Sequence, residues 1–266
     1  MNCIEDIAAI SSRNERVNIL GVGITVLTME TALQKIEAFL DGGQRGYICV
    51  TGAQGIIEAQ KDKDFRDILN SAFLNTPDGM PMVWLGKYHG FRNMGRVYGP
   101  RLMLALCADS VARGYRHFLY GGRPGVVEKL KEELLAKYPG LQIVGTYSPP
   151  FRPLNPEEEQ ELVAQIEASR PDILWCGLGA PKQERFMARY RDLLPVQLMI
   201  GVGAAFDILS GTTREAPEWV LRTGLTSIFR ICQEPRRLGP RYLINNPRFI
   251  WLTLLQLSGL RRFELD

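Results

Sequence analysis

Short apolar, β-branched runs alternate with helical patterns from residue 17 to residue 202, and this alternation constrains the fold more than any other feature of the chain. It is typical of α/β proteins, in which helices return the chain to a mainly parallel sheet. The predicted strands span residues 17–23, 47–51, 72–75, 117–120, 142–145, 172–177 and 197–202. The predicted helices span residues 29–40, 80–88, 101–113, 125–138, 156–168 and 181–193. The pattern therefore predicts one α/β domain over residues 1–211.

The end of the chain has a different character. After residue 211 the pattern changes to helical segments that carry arginines and are interrupted by prolines. Residues 214–266 hold nine Arg, no Lys and five acidic residues, a charge of +4, whereas the rest of the chain holds 23 basic and 24 acidic residues. We interpret residues 212–266 as a helical, Arg-rich C-terminal appendage. Guanidinium groups suit phosphates or an anionic surface, and a solvated helix face is the alternative interpretation.

Polar or glycine-rich turns follow five of the predicted strands. They span residues 51–55, 76–79, 121–125, 177–184 and 201–207. The carboxyl ends of parallel strands meet at one edge of a sheet, where ligands bind. Glycines let the backbone approach a phosphate closely, and the helix N-termini that follow favour anions. The sequence therefore favours a nucleotide as the ligand at this edge.

Aspartates supply the candidate acid-base chemistry. Asp78 lies between Pro77 and Gly79, at the end of a predicted strand and before an apolar helix. It is either a turn or N-cap aspartate or a general base held at the sheet edge. Asp62 and Asp64 have the Asp-x-Asp spacing of metal-dependent sugar transferases. Their polar surroundings favour a solvated charge run, and no metal site is predicted.

The composition also bears on the compartment. Five cysteines without a Cys-x-x-Cys pair favour a reducing cytosol, and His89 and His117, the only histidines, are interpreted as structural. The first eighteen residues contain no apolar run typical of a signal peptide. The longest apolar stretch, residues 249–260, is too short to span a bilayer. We therefore expect a cytoplasmic protein whose C-terminal amphipathic helix lies at the inner face of the cell membrane, with Phe249, Trp251 and Leu252 in contact with the lipid. Nucleic acid is not an expected partner, and an oligomer is left open.

An ordered set of motifs carries a resemblance to a known family. The motifs are Thr76-Pro77-Asp78-Gly79-Met80-Pro81, Arg96-Val97-Tyr98-Gly99, Phe118-Leu119-Tyr120-Gly121-Gly122, Gly177-Leu178-Gly179-Ala180-Pro181-Lys182-Gln183-Glu184, the segment 201–211, Arg214-Glu215-Ala216-Pro217, Glu234-Pro235-Arg236-Arg237 and Arg241-Tyr242. In this order they resemble the WecG/TagA/CpsF glycosyltransferase family, of the exopolysaccharide or teichoic acid type, over residues 17–245.

The resemblance implies a fold and a reaction. The fold is a Rossmann-like, mainly parallel sheet with helices on both faces and a helical appendage. The reaction is an inverting, metal-independent transfer of a hexosyl or N-acetylhexosaminyl group, such as a ManNAc or glucose-type sugar, from a UDP-sugar to a polyprenyl-diphosphate-linked sugar, without a cofactor. By position Asp78 matches the catalytic base, and Thr51, Gln183 and Arg96 match further active-site residues.

The resemblance and the sheet-edge turns together give a predicted substrate-binding set. Its members are Gly121, Gly122, Gly179, Lys182, Gly201, Gly203, Asp207, Arg230, Arg236, Arg237 and Arg241. The appendage arginines among them are implied to close over the diphosphate at the membrane. Two positions depart from the family pattern, because Ala53 stands where the family usually has Asn and Pro81 where it often has Gly. These departures favour an exopolysaccharide-type member over a wall teichoic acid enzyme.

Two other functions remain open from the residues. Gly201-x-Gly203 with Asp207 approaches the fingerprint of a nicotinamide-dependent oxidoreductase, but Phe206 stands where its third glycine belongs. A non-catalytic nucleotide-binding module recruited to membranes by the basic appendage is the other alternative. Release of UDP from UDP-sugars, compared with binding of NAD, separates the three hypotheses.

Overall fold

A parallel six-stranded sheet forms the centre of the computed structural model, which describes residues 15–265. The strands are β1 Arg16–Ile19, β2 Val22–Thr25, β3 Gly46–Thr51, β4 Leu74–Pro77, β5 Arg116–Gly121, β6 Gln142–Tyr147, β7 Ile173–Gly177 and β8 Leu198–Gly201. The central sheet has the order β4-β3-β8-β7-β5-β6, and every neighbouring pair in it is parallel. The carboxyl ends of its strands therefore meet at one edge, as predicted.

Helices cover both faces of this sheet. The helices of the described chain are α1 Met29–Asp41, α2 Ala53–Ala59, α3 Lys63–Ser71, α4 Met80–Tyr88, α5 Gly99–Arg113, α6 Val126–Lys137, α7 Pro156–Ser169, α8 Lys182–Tyr190, α9 Ala205–Leu209, α10 Glu218–Thr223, α11 Thr226–Gln233 and α12 Pro235–Leu257. Side chains of β7 alternate between two cores: Leu174 and Cys176 face one, and Ile173 and Trp175 face the other. A strand that is buried on both faces consists of consecutive apolar residues, which explains the short apolar runs in the sequence. The predicted Rossmann-like α/β fold is confirmed.

The prediction of a single strand over residues 17–23 is wrong, because the chain turns back at Leu20 and Gly21. Both residues have positive φ, 53° and 80°, as a two-residue hairpin turn requires. Strands β1 and β2 pair antiparallel, outside the central sheet. The Thr25 hydroxyl accepts a 2.9 Å hydrogen bond from the Asn75 backbone N–H, which attaches the hairpin to β4.

Local capping explains where several helices begin. The Asn155 side chain accepts a bond from the Glu158 backbone N–H at 2.8 Å, and the Glu158 carboxylate accepts one from the Asn155 N–H at 2.9 Å. This capping box confirms the predicted start of α7. The list of predicted helices did not include α2 and α3, which lie between β3 and β4. Asp62 caps α3 by accepting a 3.0 Å bond from the Phe65 N–H.

The C-terminal helix α12 is continuous, although the sequence predicted segments broken by prolines. Pro240 and Pro247 lie inside it, on its exposed side. Phe249 and Leu252 are buried in the same core as the sheet, and Gln256 accepts a 3.0 Å bond from the Leu20 N–H. These contacts outweigh the hydrogen bonds that the prolines remove. Within residues 15–265, no helix is long and apolar enough to cross a membrane.

Candidate active site

A cavity of about 590 Å³ opens at the carboxyl ends of β3, β4, β7 and β8. Residues from α11 and α12 line its other side. Ten of the residues predicted to form the site line this cavity. They are Thr51, Asp78, Arg96, Gly179, Gln183, Gly203, Asp207, Arg230, Arg237 and Arg241. Residues far apart in sequence therefore share one volume large enough for a small-molecule substrate.

The backbone around Asp78 fixes its position at the cavity floor. Parallel pairing places Thr51 beside Pro77 at the ends of β3 and β4. The Asp78 backbone N–H then donates a 3.1 Å hydrogen bond to the Thr51 carbonyl. Thr51 itself is 3% exposed. The arrangement presents the Asp78 carboxyl group to the cavity from the turn before α4 rather than as an N-cap, since α4 has no side-chain cap.

Arg96 holds the same turn from the opposite side. Its Nε donates to the Asp78 carbonyl oxygen, and its Nη1 donates to the Leu221 carbonyl at 3.0 Å. The guanidinium lies 4.4 Å from the centre of the Tyr98 ring, a cation-π distance. Arg96 Nη2 is 3.9 Å from Asp78 Oδ1, so the pair forms a loose ion pair rather than a bidentate one.

The electrostatic balance at Asp78 favours a base of moderate strength. Burial raises the pKa of Asp78 above its ordinary value, and the positive charges of Arg96 and Arg230 and the Gly99 N–H oppose that rise. Asp78 Oδ1 is enclosed and has no hydrogen-bond partner in the described chain. The Asp78 side chain as a whole is 33% exposed and lines the cavity, and a carboxylate with a raised pKa that is open to a substrate suits proton removal from a hydroxyl group.

Gln183 is locked against the glycine turn that follows β7. The Gly179 N–H donates a 3.1 Å bond to Gln183 Oε1, and the Gln183 N–H donates one of the same length to the Gly179 carbonyl. Gly179 and Gly203 both have positive φ, 77° and 49°. A side chain at either position would be strained, so glycine sets the shape of this wall.

Arginines from the C-terminal helices supply positive charge on the remaining wall. Arg230 comes from α11, and Arg237 and Arg241 come from α12. Arg237 donates a 2.6 Å bond to Glu234 from its Nη2. The appendage therefore contributes side chains to the same cavity as the sheet edge, and these cations can receive an anionic substrate.

Five residues of the predicted substrate-binding set do not line the cavity. They are Gly121, Gly122, Lys182, Gly201 and Arg236. A Cβ on Gly121 would lie 2.7 Å from the Gly177 carbonyl carbon, and one on Gly201 would lie 2.8 Å from Met187 Cε. These two glycines allow close packing of neighbouring segments. Lys182 and Arg236 are exposed at the first turns of α8 and α12.

Sequence reasoning missed several cavity residues. Glu184 is 2% exposed at the cavity edge. Gln54 donates from Nε2 to Asn246 at 2.8 Å and accepts from Asn245 at 2.8 Å, so it ties α2 to α12 across the cavity. The only signal for Glu184 was its place beside Gln183 in the glycine-rich motif. No sequence signal connects Gln54 to asparagines more than 190 positions away.

The described residues offer no obvious metal centre. Between residues 15 and 265 no three His, Cys, Asp or Glu side chains converge on a point. Asp62 forms an ion pair with Arg185 on the surface. His117 is buried, accepts a 2.9 Å bond at Nδ1 from Trp175 Nε1, and has a pKa lowered to about 4 by burial. The side chain of His117 packs in the core, and His89 follows α4 at the surface.

Comparison with known proteins agrees with this geometry. Residues 17–263 match the model of the glycosyl transferase WecG/TagA/CpsF family. A protein of Bacillus subtilis (strain 168), named N-acetylglucosaminyldiphosphoundecaprenol N-acetyl-beta-D-mannosaminyltransferase, is 32% identical over 199 residues, 74% of each chain. A protein of the same name from Bacillus spizizenii (strain ATCC 23059 / NRRL B-14472 / W23) is 29% identical over 216 residues, 81% of each chain.

These matches decide between the three hypotheses. The family match runs through α12, so it includes the C-terminal arginines as well as the sheet edge. The buried Phe206 ring fills the space beside Gly177, where a Cβ would lie 2.6 Å from Phe206 Cδ2. The comparisons indicate glycosyl transfer and support neither an oxidoreductase nor a non-catalytic module. The chain is thus a glycosyltransferase and belongs to the WecG/TagA/CpsF family.

Proposed function

We propose that this enzyme transfers an N-acetylhexosaminyl group, N-acetylmannosamine first among the candidates, from a UDP-sugar to a polyprenyl-diphosphate-linked sugar. The names of the two Bacillus relatives support this acceptor and this sugar. The product is a lipid-linked intermediate of a cell-surface polysaccharide. Ala53 and Pro81, the departures from the family pattern, both line the cavity, so they are placed to affect the choice of sugar.

Asp78 acts as the general base in this proposal. Its carboxylate takes the proton from the acceptor hydroxyl, and the oxygen attacks the anomeric carbon while UDP leaves from the opposite face. This single displacement inverts the anomeric configuration. The observation that carries the proposal is the Asp78 carboxyl group, which has a raised pKa, lines the cavity with a partly exposed side chain and has a backbone position fixed by Thr51 and Arg96.

The leaving diphosphate gains negative charge as the bond to the sugar breaks. Fixed positive groups aimed at that charge stabilise the transition state because they need no reorganisation. Arg230, Arg237 and Arg241 line the cavity and can supply this stabilisation. The charge of these side chains supports a reaction that needs no metal ion.

Exposed apolar side chains on α12 support a peripheral membrane location. Leu243, Ile244, Ile250, Trp251 and Leu254 are each more than half exposed. Their spacing of three, four and seven residues places them on one face of the helix. With arginines near the helix end, this face fits an anionic membrane interface. We place the enzyme on the cytoplasmic face, where UDP-sugars and the lipid-linked acceptor meet.

The proposal is tested with purified enzyme, UDP-N-acetylmannosamine and N-acetylglucosaminyl-diphosphate on a short polyprenyl chain. Mass spectrometry should detect the disaccharide lipid, and NMR of the product should show the anomeric configuration opposite to that of the donor. UDP-glucose and UDP-N-acetylglucosamine serve as competing donors. Retention of configuration would refute the single displacement, and transfer to water alone would refute the acceptor.

A further inference from the structure

Glu184 is a buried carboxyl group at the cavity edge that the proposed reaction does not use. It lines the cavity, yet its side chain is 2% exposed. Its Oε1 accepts a 2.9 Å hydrogen bond from Gln183 Nε2. Its Oε2 is enclosed and has no hydrogen-bond partner in the described chain. An ionised carboxylate at this position has lost its hydrating water and gains only one hydrogen bond from a side chain, so burial raises its free energy.

The groups that face Glu184 compensate its charge only weakly. On its own helix it meets the neutral Gln183 amide. Cys49 of β3 and Cys176 of β7 are fully buried thiols whose pKa burial raises, so both are neutral at neutral pH. From α12, Arg241 favours the ionised carboxylate, but burial dominates and raises the pKa of Glu184 to about 7. Before a donor binds, Glu184 is therefore partly ionised, and Arg241 acts on its charge across space rather than through a direct ion pair.

Arg241 also lines the volume that the proposed function assigns to the diphosphate of the donor. A bound diphosphate that pairs with this guanidinium cancels part of the positive charge that favours ionised Glu184. It also brings negative charge close to a carboxylate that water does not screen. Both effects disfavour the ionised form of the acid, because opposite charges stabilise an ion and like charges destabilise it.

We propose that Glu184 takes up one proton from solvent when the diphosphate of the sugar donor binds, because the phosphates then neutralise the positive charge of Arg241. The proton comes from the buffer acid and forms an O–H bond at Oε2, the oxygen that Gln183 leaves unfilled. No other bond changes. Glu184 is then a positioning residue that acts through Arg241. The inference rests on the proposed function and concerns the diphosphate-binding side of the same cavity.

Calorimetry measures this proton directly. UDP-N-acetylmannosamine is the probe, because its phosphates carry no proton that titrates near neutral pH. Titrations in buffers of different ionisation enthalpy give the number of protons taken up per donor bound. With a pKa of about 7, about three quarters of Glu184 is ionised at about pH 7.5. The wild-type chain should take up about 0.7 proton at this pH, and the affinity should fall about eightfold over the next pH unit and about tenfold per unit beyond it.

The variant Glu184→Gln retains an acceptor for Gln183 but cannot titrate. Its proton uptake should be lower than that of the wild type by about 0.7, which leaves only the contribution of other groups such as Asp78. Above about pH 8 it should bind the donor more tightly than the wild type. Glu159→Gln is the matched control. Glu159 lies on α7 and contacts Arg189 and Tyr190, which are at the C-terminal end of α8, outside the cavity. This control should take up as many protons as the wild type.

Three results would overturn the inference. One is equal proton uptake in the wild type and in Glu184→Gln, and another is proton release on binding. The third needs only the wild type and applies even if the variant does not fold: an uptake that fails to decrease between about pH 7.5 and pH 5.5, where Glu184 is already protonated. If the wild-type chain binds no UDP-sugar, the proposed function fails and this inference fails with it. Binding without a linked proton overturns the inference alone.

Discussion

Two leucines on α12 allow the role of its buried face in stability to be measured separately from the proposed role of its exposed face in membrane binding. Leu252 is 8% exposed and packs in the core, whereas Leu254, two positions further, is 55% exposed. Truncation of a buried leucine to alanine costs about 2–5 kcal/mol. For a chain of this size each kcal/mol lowers Tm by roughly 2–4 °C. Leu252→Ala should therefore lower Tm by about 4–20 °C, with the lower end favoured because the site borders solvent.

Leu254→Ala should leave the free energy of unfolding within about 0.5 kcal/mol of the wild type. It should instead weaken binding to mixed phosphatidylcholine and phosphatidylglycerol vesicles. The substitution removes three apolar carbons worth about 0.8 kcal/mol each when buried in lipid, so the vesicle affinity should fall by up to about fiftyfold. Leu252→Ala should bind vesicles as the wild type does below its own Tm.

Thermal unfolding and vesicle sedimentation, run on both variants, measure the two effects. The reasoning is refuted if Leu254→Ala unfolds as early as Leu252→Ala, or if Leu252→Ala is the variant that loses vesicle binding. The same pair corrects an expectation from the sequence, which placed Phe249, Leu252 and Trp251 together at the membrane. Phe249 and Leu252 are buried against the sheet, and only Trp251 is exposed.

Six further perturbations have definite expected outcomes. Gln54→Leu breaks both hydrogen bonds to α12, and chemical denaturation should show a loss of about 2–3 kcal/mol with a raised KM for the donor. Arg230→Ala should lower kcat even with a soluble acceptor analogue, while Arg262→Ala should weaken only vesicle binding, in a salt-dependent way. Transfer should persist in EDTA, and loss of activity restored by Mg²⁺ would contradict this. Burial raises the pKa of Asp78, so the acidic fall in kcat should occur at a higher pH than the pKa of an ordinary aspartate would give. For the same reason the ionised aspartate costs stability at neutral pH, and Asp78→Asn should raise Tm there.

The central sheet could be predicted because its strands are buried on both faces. Ile173, Leu174, Trp175 and Cys176 form a continuous apolar run for this reason. The hairpin could not be found in this way, since Leu20 adopts a positive φ without being a glycine or an asparagine. The continuity of helix α12 could not be predicted either, because it depends on tertiary contacts that outweigh two internal prolines.

The candidate site was predictable where motifs lie directly after strands. Asp78 and Gln183 follow β4 and β7 closely, so the topology alone brings them to one edge. Gly121 and Gly201 have the same sequence signal but serve packing, since a glycine required by close contact looks like one required by a ligand. Glu184 was missed because its burial and its unfilled oxygen are properties of the folded chain.

The most direct test of the account compares kcat of Asp78→Asn with that of Asp62→Asn, using UDP-N-acetylmannosamine and the lipid-linked acceptor. Asp78→Asn should lower kcat by about 10² or more, the range expected for loss of a general base, with little change in UDP affinity. Asp62→Asn makes the same chemical change in the Asp-x-Asp triplet, and asparagine still caps α3, so its kcat should stay near that of the wild type. Near-normal turnover by Asp78→Asn, or a comparable loss in Asp62→Asn, would contradict the assignment of Asp78 as the base.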